Sequence, residues 1–123
     1  MTTVTLADGI RSIGNSAFHA CSMLVEINLP DSIAEIGGSA FQNCERLKSI
    51  HIPNRLTRIE DFTFTGCIFL AAVTIPETVT YIGENAFASC HSFGIITIPK
   101  SVTYIADSAF DSTFTYDPFP NEF

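Results

Sequence analysis

Four cysteines, the only cysteines in this chain of 123 residues, follow one another at intervals of 23 residues. They are Cys21, Cys44, Cys67 and Cys90. Phenylalanine and proline keep the same interval, at Phe18, Phe41, Phe64, Phe87 and Phe110 and at Pro30, Pro53, Pro76 and Pro99. A fixed period of about 20 to 50 residues is typical of solenoids and related arrays, in which each repeat stacks on its neighbours. The repeat therefore constrains the fold more strongly than any other feature of the sequence.

Positions 23 residues apart form columns, and several of these columns are apolar in every repeat. Besides the Phe column, the apolar columns begin at Met1, Val4, Leu6, Ile10 and Ile13. Cysteine and a small residue fill two further columns, whereas the positions between them vary and are mostly polar. One side of every repeat is thus predicted to pack against its neighbours, and the other side is left to solvent.

The spacing within one repeat predicts short extended segments. Residues 49–52 alternate polar and apolar side chains, which is the periodicity of a strand with β-branched residues inward, and the proline that follows lacks an N–H and ends the strand. The apolar pair Leu56 and Ile59 indicates a second short strand. A glycine ends this second stretch in three repeats, at Gly14, Gly37 and Gly83. We expect these glycines to adopt positive φ in a turn, and residues 39–44 to form one turn of 3₁₀ or α-helix.

A single repeat cannot fold alone, because about seven buried side chains do not offset the ordering of a whole repeat. Stacked neighbours must contribute, each advancing about 4.8 Å along the array. The sequence thus predicts one solenoid domain over residues 1–123, a right-handed coil of five to six rungs with a parallel sheet on one face. The rungs are about 1–23, 24–46, 47–69, 70–92 and 93–115, and residues 116–123 are predicted to cap the core with Tyr116 and Phe119, while Pro118 and Pro120 block the sheet edge.

Two segments carry a family resemblance, VTYIGENAFASC at residues 79–90 and SVTYIADSAF at residues 101–110. They resemble the BspA-like class of leucine-rich repeat, whose consensus is close to LxxIxIPxSVxxIGxxAFxxCxx, and the resemblance extends from Met1 to about Phe119. It implies a β-dominated solenoid of the α/β leucine-rich-repeat type, with short strands or turns opposite the main sheet. It also implies a cell-surface or secreted protein, adhesive in character, of which this chain is a part. The family has no catalytic residues to transfer.

Charge and hydropathy narrow the classes of partner. The formal charge is −7, from 6 Lys and Arg against 13 Asp and Glu, which argues against nucleic acid and against an anionic membrane surface. The longest uninterrupted apolar run covers seven residues, Cys67 to Val73, so no membrane insertion is expected. The N-terminus does not have the pattern of a secretory signal, which leaves a cytoplasmic location open.

The cysteine column admits three interpretations. A zinc site needs converging pairs of ligands, whereas these four lie in line. The even number suggests disulfides, but stacked equivalent Cβ atoms are about 4.8 Å apart, farther than a disulfide requires. We therefore expect a buried ladder of free thiols. Three histidines fall in different columns, at His19, His51 and His91, so we predict no enzyme activity, no metal and no cofactor.

Function is predicted to reside among residues that do not recur, such as Tyr81, His91 and their neighbours on adjacent rungs. The outward positions of the main strands are candidates for binding a protein partner: Glu26, Asn28, Ser49, His51, Ala72, Thr74, Ile95 and Thr97. Phe62, Ile68 and Phe69 form a candidate apolar patch, or else additional core. A homodimer through this patch or through the N-terminal strand is a further expectation. The predicted function is a protein-interaction or adhesion module, and the alternative is a passive spacer within a longer surface protein.

Overall fold

The computed structural model describes residues 2–93 and 96–113. The predicted C-terminal cap at 116–123 and the candidate binding residue Ile95 lie outside this part. The strands of the described residues are β1 (Thr2–Thr5), β2 (Ser12–Ile13), β3 (Leu24–Asn28), β4 (Glu35–Ile36), β5 (Ser49–His51), β6 (Arg58–Ile59), β7 (Ala72–Thr74), β8 (Tyr81–Ile82) and β9 (Tyr104–Ile105).

The strands form three parallel sheets on two faces of a solenoid. The main sheet has the order β1-β3-β5-β7, and the opposite face carries the pair β2-β4 and the triplet β6-β8-β9. Paired residues are 23 positions apart, as in Ser49 with Ala72 and Ile59 with Ile82. The predicted solenoid with a parallel sheet and short strands opposite is thereby confirmed, and the described residues complete about four turns.

Recurring residues fill the core, as the columns predicted. Ile50 and Ile52 are buried while Ser49 and His51 between them are exposed, which confirms the inward and outward alternation. The Phe column forms one continuous stack, with ring centroids of neighbours 5.3–5.6 Å apart and nearly parallel planes. Phe41, Phe64 and Phe87 are completely buried or nearly so. The core is therefore a set of side-chain ladders that run along the solenoid axis.

The cysteines are free, and three of the four are buried, as the sequence predicted. Each buried thiol also makes a contact that the sequence did not reveal. The Sγ of Cys67 donates to the carbonyl oxygen of Phe41, 26 residues earlier, at 3.1 Å, and Cys44 and Cys90 repeat this bond on their own rungs. Thr113 takes the fifth place in the column because its hydroxyl donates to the equivalent carbonyl of Phe87.

Burial also makes these thiols poor nucleophiles. Desolvation is the main cause that raises the pKa of Cys44 to about 11 and that of Cys90 to about 12, and it raises the pKa of Cys67 as well. Because the thiolate is the reactive form, these side chains act as packed hydrogen-bond donors. Packing and hydrogen bonding therefore explain the cysteine column.

The segment after the second strand is a series of turns, so the predicted turn of helix is wrong. In the first rung the N–H of Ala17 bonds to the carbonyl of Gly14 at 3.2 Å and the N–H of Phe18 donates to Ala40 of the next rung at 2.8 Å. Ser16 and Ala20 have positive φ, 58° and 59°, a conformation that a right-handed helix does not contain. Alternate N–H groups must point to the next rung, and this requirement prevents a helix.

Glycine follows the second strand for a reason other than the one predicted, because the described glycines with positive φ are Gly9 and Gly66. A Cβ on Gly37 would overlap Asn15 of the preceding rung, 2.6 Å from its backbone nitrogen. Asn15 cannot move freely, since its Oδ1 accepts the N–H of Gly38 at 3.0 Å. Gly83 meets Asp61 in the same way. Close approach between rungs, and not backbone conformation, requires glycine at Gly37 and Gly83.

Candidate functional site

The second face of the solenoid is interrupted between β4 and β6, which belong to separate sheets. The N–H groups of Thr80 and Gly83 donate to the preceding rung at 2.8 Å each. Their counterparts one rung earlier, Thr57 and Glu60, make no such bond within the described residues. An open groove of about 640 Å³ lies at this interruption. Its charged lining residues are Glu35, Arg58, Glu60 and Asp61.

Beside the groove, three outward side chains of β6, β8 and β9 stack along the solenoid axis. The guanidinium carbon of Arg58 lies 3.7 Å from the centroid of the Tyr81 ring, and the Tyr81 ring lies 5.1 Å from that of Tyr104 at an interplanar angle of 15°. Tyr104 is 50% exposed. We call Arg58, Tyr81 and Tyr104 the aromatic row. It gives this face an ordered, partly exposed strip of cation and rings.

A neighbouring carboxylate fixes the first member of the aromatic row. Arg58 Nε lies 3.2 Å from Glu60 Oε2, and this hydrogen bond is the main cause that raises the pKa of the guanidinium. The pKa of Tyr81 is raised as well, first by desolvation and then by the negative charge of Asp61. Both shifts keep these side chains in their ordinary protonation states at neutral pH, so the aromatic row carries one positive charge.

Acidic side chains follow the aromatic row on the adjoining corner of the solenoid. Asp61, Glu84 and Asp107 occupy one column of three successive rungs. Asp61 Oδ1 accepts the N–H of Glu84 at 2.8 Å, whereas Glu84 and Asp107 have no ion-pair partner in the described part of the chain. We call Asp61, Glu84 and Asp107 the acidic column. Like charges on stacked rungs give this corner a negative potential.

The main sheet exposes the predicted partner-binding residues that the structure describes. These are Glu26, Asn28, Ser49, His51, Ala72 and Thr74, whereas Thr97 is exposed outside the strands of that sheet. Paired strands bring several of them side by side, as with Ser49 next to Ala72. Glu26, Asn28, Ser49 and His51 line a shallow depression of about 230 Å³. Asn28 is partly engaged already, because its Nδ2 donates to Thr5 Oγ1 at 3.1 Å. Their role in binding stays a prediction.

The predicted apolar patch differs in exposure from residue to residue. Phe69 is 58% exposed, whereas Phe62 and Ile68 are half-buried. Phe62 lies in the turn before the buried Phe64 and has a φ of 61°, and the other two follow Cys67. Self-association through this patch, or through β1 at the edge of the main sheet, stays a prediction.

No cluster of three or more His, Cys, Asp or Glu side chains among residues 2–93 and 96–113 is arranged to bind a metal ion. Within the same ranges, none of the structure is a helix with the length and apolar character that crossing a bilayer requires.

Comparison with known protein families identifies the family to which this chain belongs. The family model for the BspA type leucine rich repeat region matches residues 1–116 in six copies. The chain belongs to the BspA-type leucine-rich repeat family. No curated protein sequence matches it. Most recurring apolar residues of this BspA-type chain are buried, and the aromatic row occupies a column that the repeat consensus leaves open.

Solved structures of leucine-rich repeat proteins share this fold. A leucine-rich repeat protein from Bacteroides ovatus superposes with a TM-score of 0.87 and 35% identity over 94% of this chain. The leucine-rich repeat protein of T. pallidum gives 0.86 and 31% over 96%. The BspA-type chain spans 33% of the Bacteroides protein and 59% of the T. pallidum protein.

The sequence pointed to Tyr81 and to its neighbours on adjacent rungs, without naming Arg58 or Tyr104. Tyr81 lies outside the packed columns, and Tyr104 repeats it one rung later. Read as a column, the positions contain Ser12, Glu35, Arg58, Tyr81 and Tyr104. Three large side chains in succession on an outward column of this BspA-type repeat were the available signal. The groove itself had no signal, because it depends on missing ladder bonds between β4 and β6.

Proposed function

We propose that this chain is a non-enzymatic protein-interaction module that binds a protein partner through the aromatic row and the adjoining groove. The observation that supports this choice is the stacked, half-exposed arrangement of Arg58, Tyr81 and Tyr104. Tyrosine and arginine are enriched among residues that dominate binding energy at protein interfaces. Side chains already ordered by stacking lose little entropy when they bind. The main sheet, with mostly small polar residues, offers fewer such anchors.

We further propose that the module is displayed at a cell surface or secreted, as one section of a longer repeat protein. The support is the cell-surface or secreted character that the BspA-type resemblance implies, together with the share of each longer relative that the chain spans. A passive spacer is the competing function. It is distinguished by whether any purified partner binds at all.

Binding to purified proteins tests the proposed function. The chain is immobilised and a panel of extracellular proteins is titrated over it by biolayer interferometry. For a protein that binds, we expect the variant Tyr81→Ser with Tyr104→Ser to weaken the affinity by about tenfold or more, the scale of a hot-spot loss. The matched control, Asn28→Ser with His51→Ser on the main sheet, should change it less than about twofold.

Circular dichroism before each titration verifies that both double variants are folded. Loss of affinity in the main-sheet variant with retention in the aromatic-row variant would transfer the binding site to the main sheet. If no panel protein binds the wild-type chain, the spacer function is favoured.

A further inference from the structure

We propose that the aromatic row binds a basic segment of its protein partner, rich in arginine and lysine. This inference rests on the proposed function and adds the chemistry of the partner. It follows from three features of one face: an unbalanced set of carboxylates, a cation already bound on a tyrosine ring, and an acidic groove beside it.

Negative charge predominates on this face. Over the third to fifth rungs, Arg58 stands against four carboxylates in the same corner, Glu60, Asp61, Glu84 and Asp107. Arg58 is paired with Glu60, so the acidic column is left without a cation among the described residues. A surface of this kind attracts cationic partners over several ångströms and repels anionic ones.

The internal contact of Arg58 shows how such a cation binds. Its guanidinium lies over the Tyr81 ring at 3.7 Å while Nε donates to Glu60, which combines a cation–π contact with a charge-assisted hydrogen bond. Tyr104 continues the same stack one rung further and is 50% exposed. Asp107 follows Tyr104 three positions later, as Glu84 follows Tyr81. An incoming arginine therefore finds a ring and carboxylates on the same two rungs.

The groove supplies a second contact for the same segment. Three carboxylates, those of Glu35, Glu60 and Asp61, line it against the one cation of Arg58, and its volume of about 640 Å³ accommodates a long side chain. Thr57 and Glu60 have N–H groups that make no bond to the preceding rung, and these can donate to carbonyl oxygens of an extended peptide. Arginine suits the site better than lysine, because its planar guanidinium stacks on rings and bonds to carboxylates in pairs.

Short charged peptides test the inference directly. Fluorescein-labelled deca-arginine, deca-lysine and deca-glutamate are titrated with the wild-type chain, and fluorescence anisotropy is recorded at about 50 mM and about 300 mM salt. We expect deca-arginine to bind more tightly than deca-lysine, deca-glutamate not to bind, and added salt to weaken both complexes.

Matched variants distinguish a specific binding site from general electrostatic attraction to an acidic chain. Glu84→Gln with Asp107→Asn should weaken deca-arginine binding by about five- to tenfold, whereas Glu26→Gln with Glu45→Gln removes the same charge from elsewhere and should leave it within about twofold. Tyr104→Ala should weaken binding by about threefold, and Tyr104→Phe should retain it.

Equal weakening by the two charge variants, or binding of deca-glutamate, would overturn the inference. A panel protein that binds through the aromatic row and is not displaced by deca-arginine would also overturn it, while leaving the proposed function intact. If neither peptides nor panel proteins bind, both proposals fail together.

Discussion

Replacing Phe64 by alanine is expected to lower the free energy of unfolding by about 3–5 kcal/mol, the cost of truncating a fully buried aromatic residue. Phe64 is 1% exposed and stacks between Phe41 and Phe87, with centroids 5.6 Å and 5.3 Å away. The substitution leaves a cavity in the middle of the array and removes two ring pairs at once. Because each rung is stabilised mainly by its neighbours, the loss is transmitted along the whole solenoid.

Phe69 provides the matched control, since it lies on the same rung and is 58% exposed. Phe69→Ala should change the free energy of unfolding by no more than about 0.5 kcal/mol. Urea denaturation followed by circular dichroism measures both variants. If Phe64→Ala does not fold, Phe64→Leu takes its place, and a smaller loss of stability is expected for it. Similar losses for Phe64→Ala and Phe69→Ala would mean that the Phe stack does not support the fold.

Gly83→Ala is expected to destabilise the chain by about 1–3 kcal/mol, as is usual when a group is forced into a packed site. The new Cβ would overlap the Asp61 side chain and lie 2.8 Å from the Asp61 backbone nitrogen. Relief would require the two rungs to separate, which weakens the bond from the Gly83 N–H to the Ile59 carbonyl, now 2.8 Å.

Gly14 occupies the same column and supplies the control for this effect. A Cβ on Gly14 meets nothing within 4 Å, so Gly14→Ala should be neutral or stabilising by up to about 1 kcal/mol. Adding Asp61→Gly to Gly83→Ala should restore part of the stability. Both are measured as midpoints of urea denaturation, and equal losses from Gly14→Ala and Gly83→Ala would refute close approach as the reason for glycine.

Architecture was predictable because identical residues at a constant interval must occupy identical places in a stack. The period placed Phe64 and Cys67 in the core and Ser49 and His51 on the surface without any knowledge of coordinates. It did not reveal interactions between different columns. The Asn15 and Gly37 pair and the Asp61 and Gly83 pair join positions that are 22 residues apart, so a comparison within columns cannot detect them.

These pairs also explain where glycine is replaced. Glu60 and Ala106 occupy the glycine column, and the residues 22 positions before them are Gly38 and Glu84, neither of which presents a short amide or carboxylate. Without an Asn or Asp beneath it, a Cβ is tolerated, and Ala106 still donates its N–H to Ile82 at 2.9 Å. Glycine is required only where an Asn or Asp lies 22 positions earlier, so the requirement cannot be recognised from a single position.

The candidate site was the least predictable part, because it arises where the repeat is irregular. Tyr81 lies outside the packed columns, and its importance depends on Arg58 and Tyr104 on the adjacent rungs. The groove depends on two N–H groups that fail to reach the preceding rung. Departures of this kind are visible only when the rungs are placed side by side.

Hydrogen exchange of four equivalent amides tests the central claim most directly, namely that the rungs are bonded in register and that the ladder of the second face is interrupted beside the aromatic row. In the native chain, Gly37, Gly83 and Ala106 donate to the preceding rung at 2.8, 2.8 and 2.9 Å, while Glu60 does not. Exchange followed by NMR should therefore show slow exchange for the first three amides and fast exchange for Glu60. Equal protection of Glu60 and Gly83 would contradict the account.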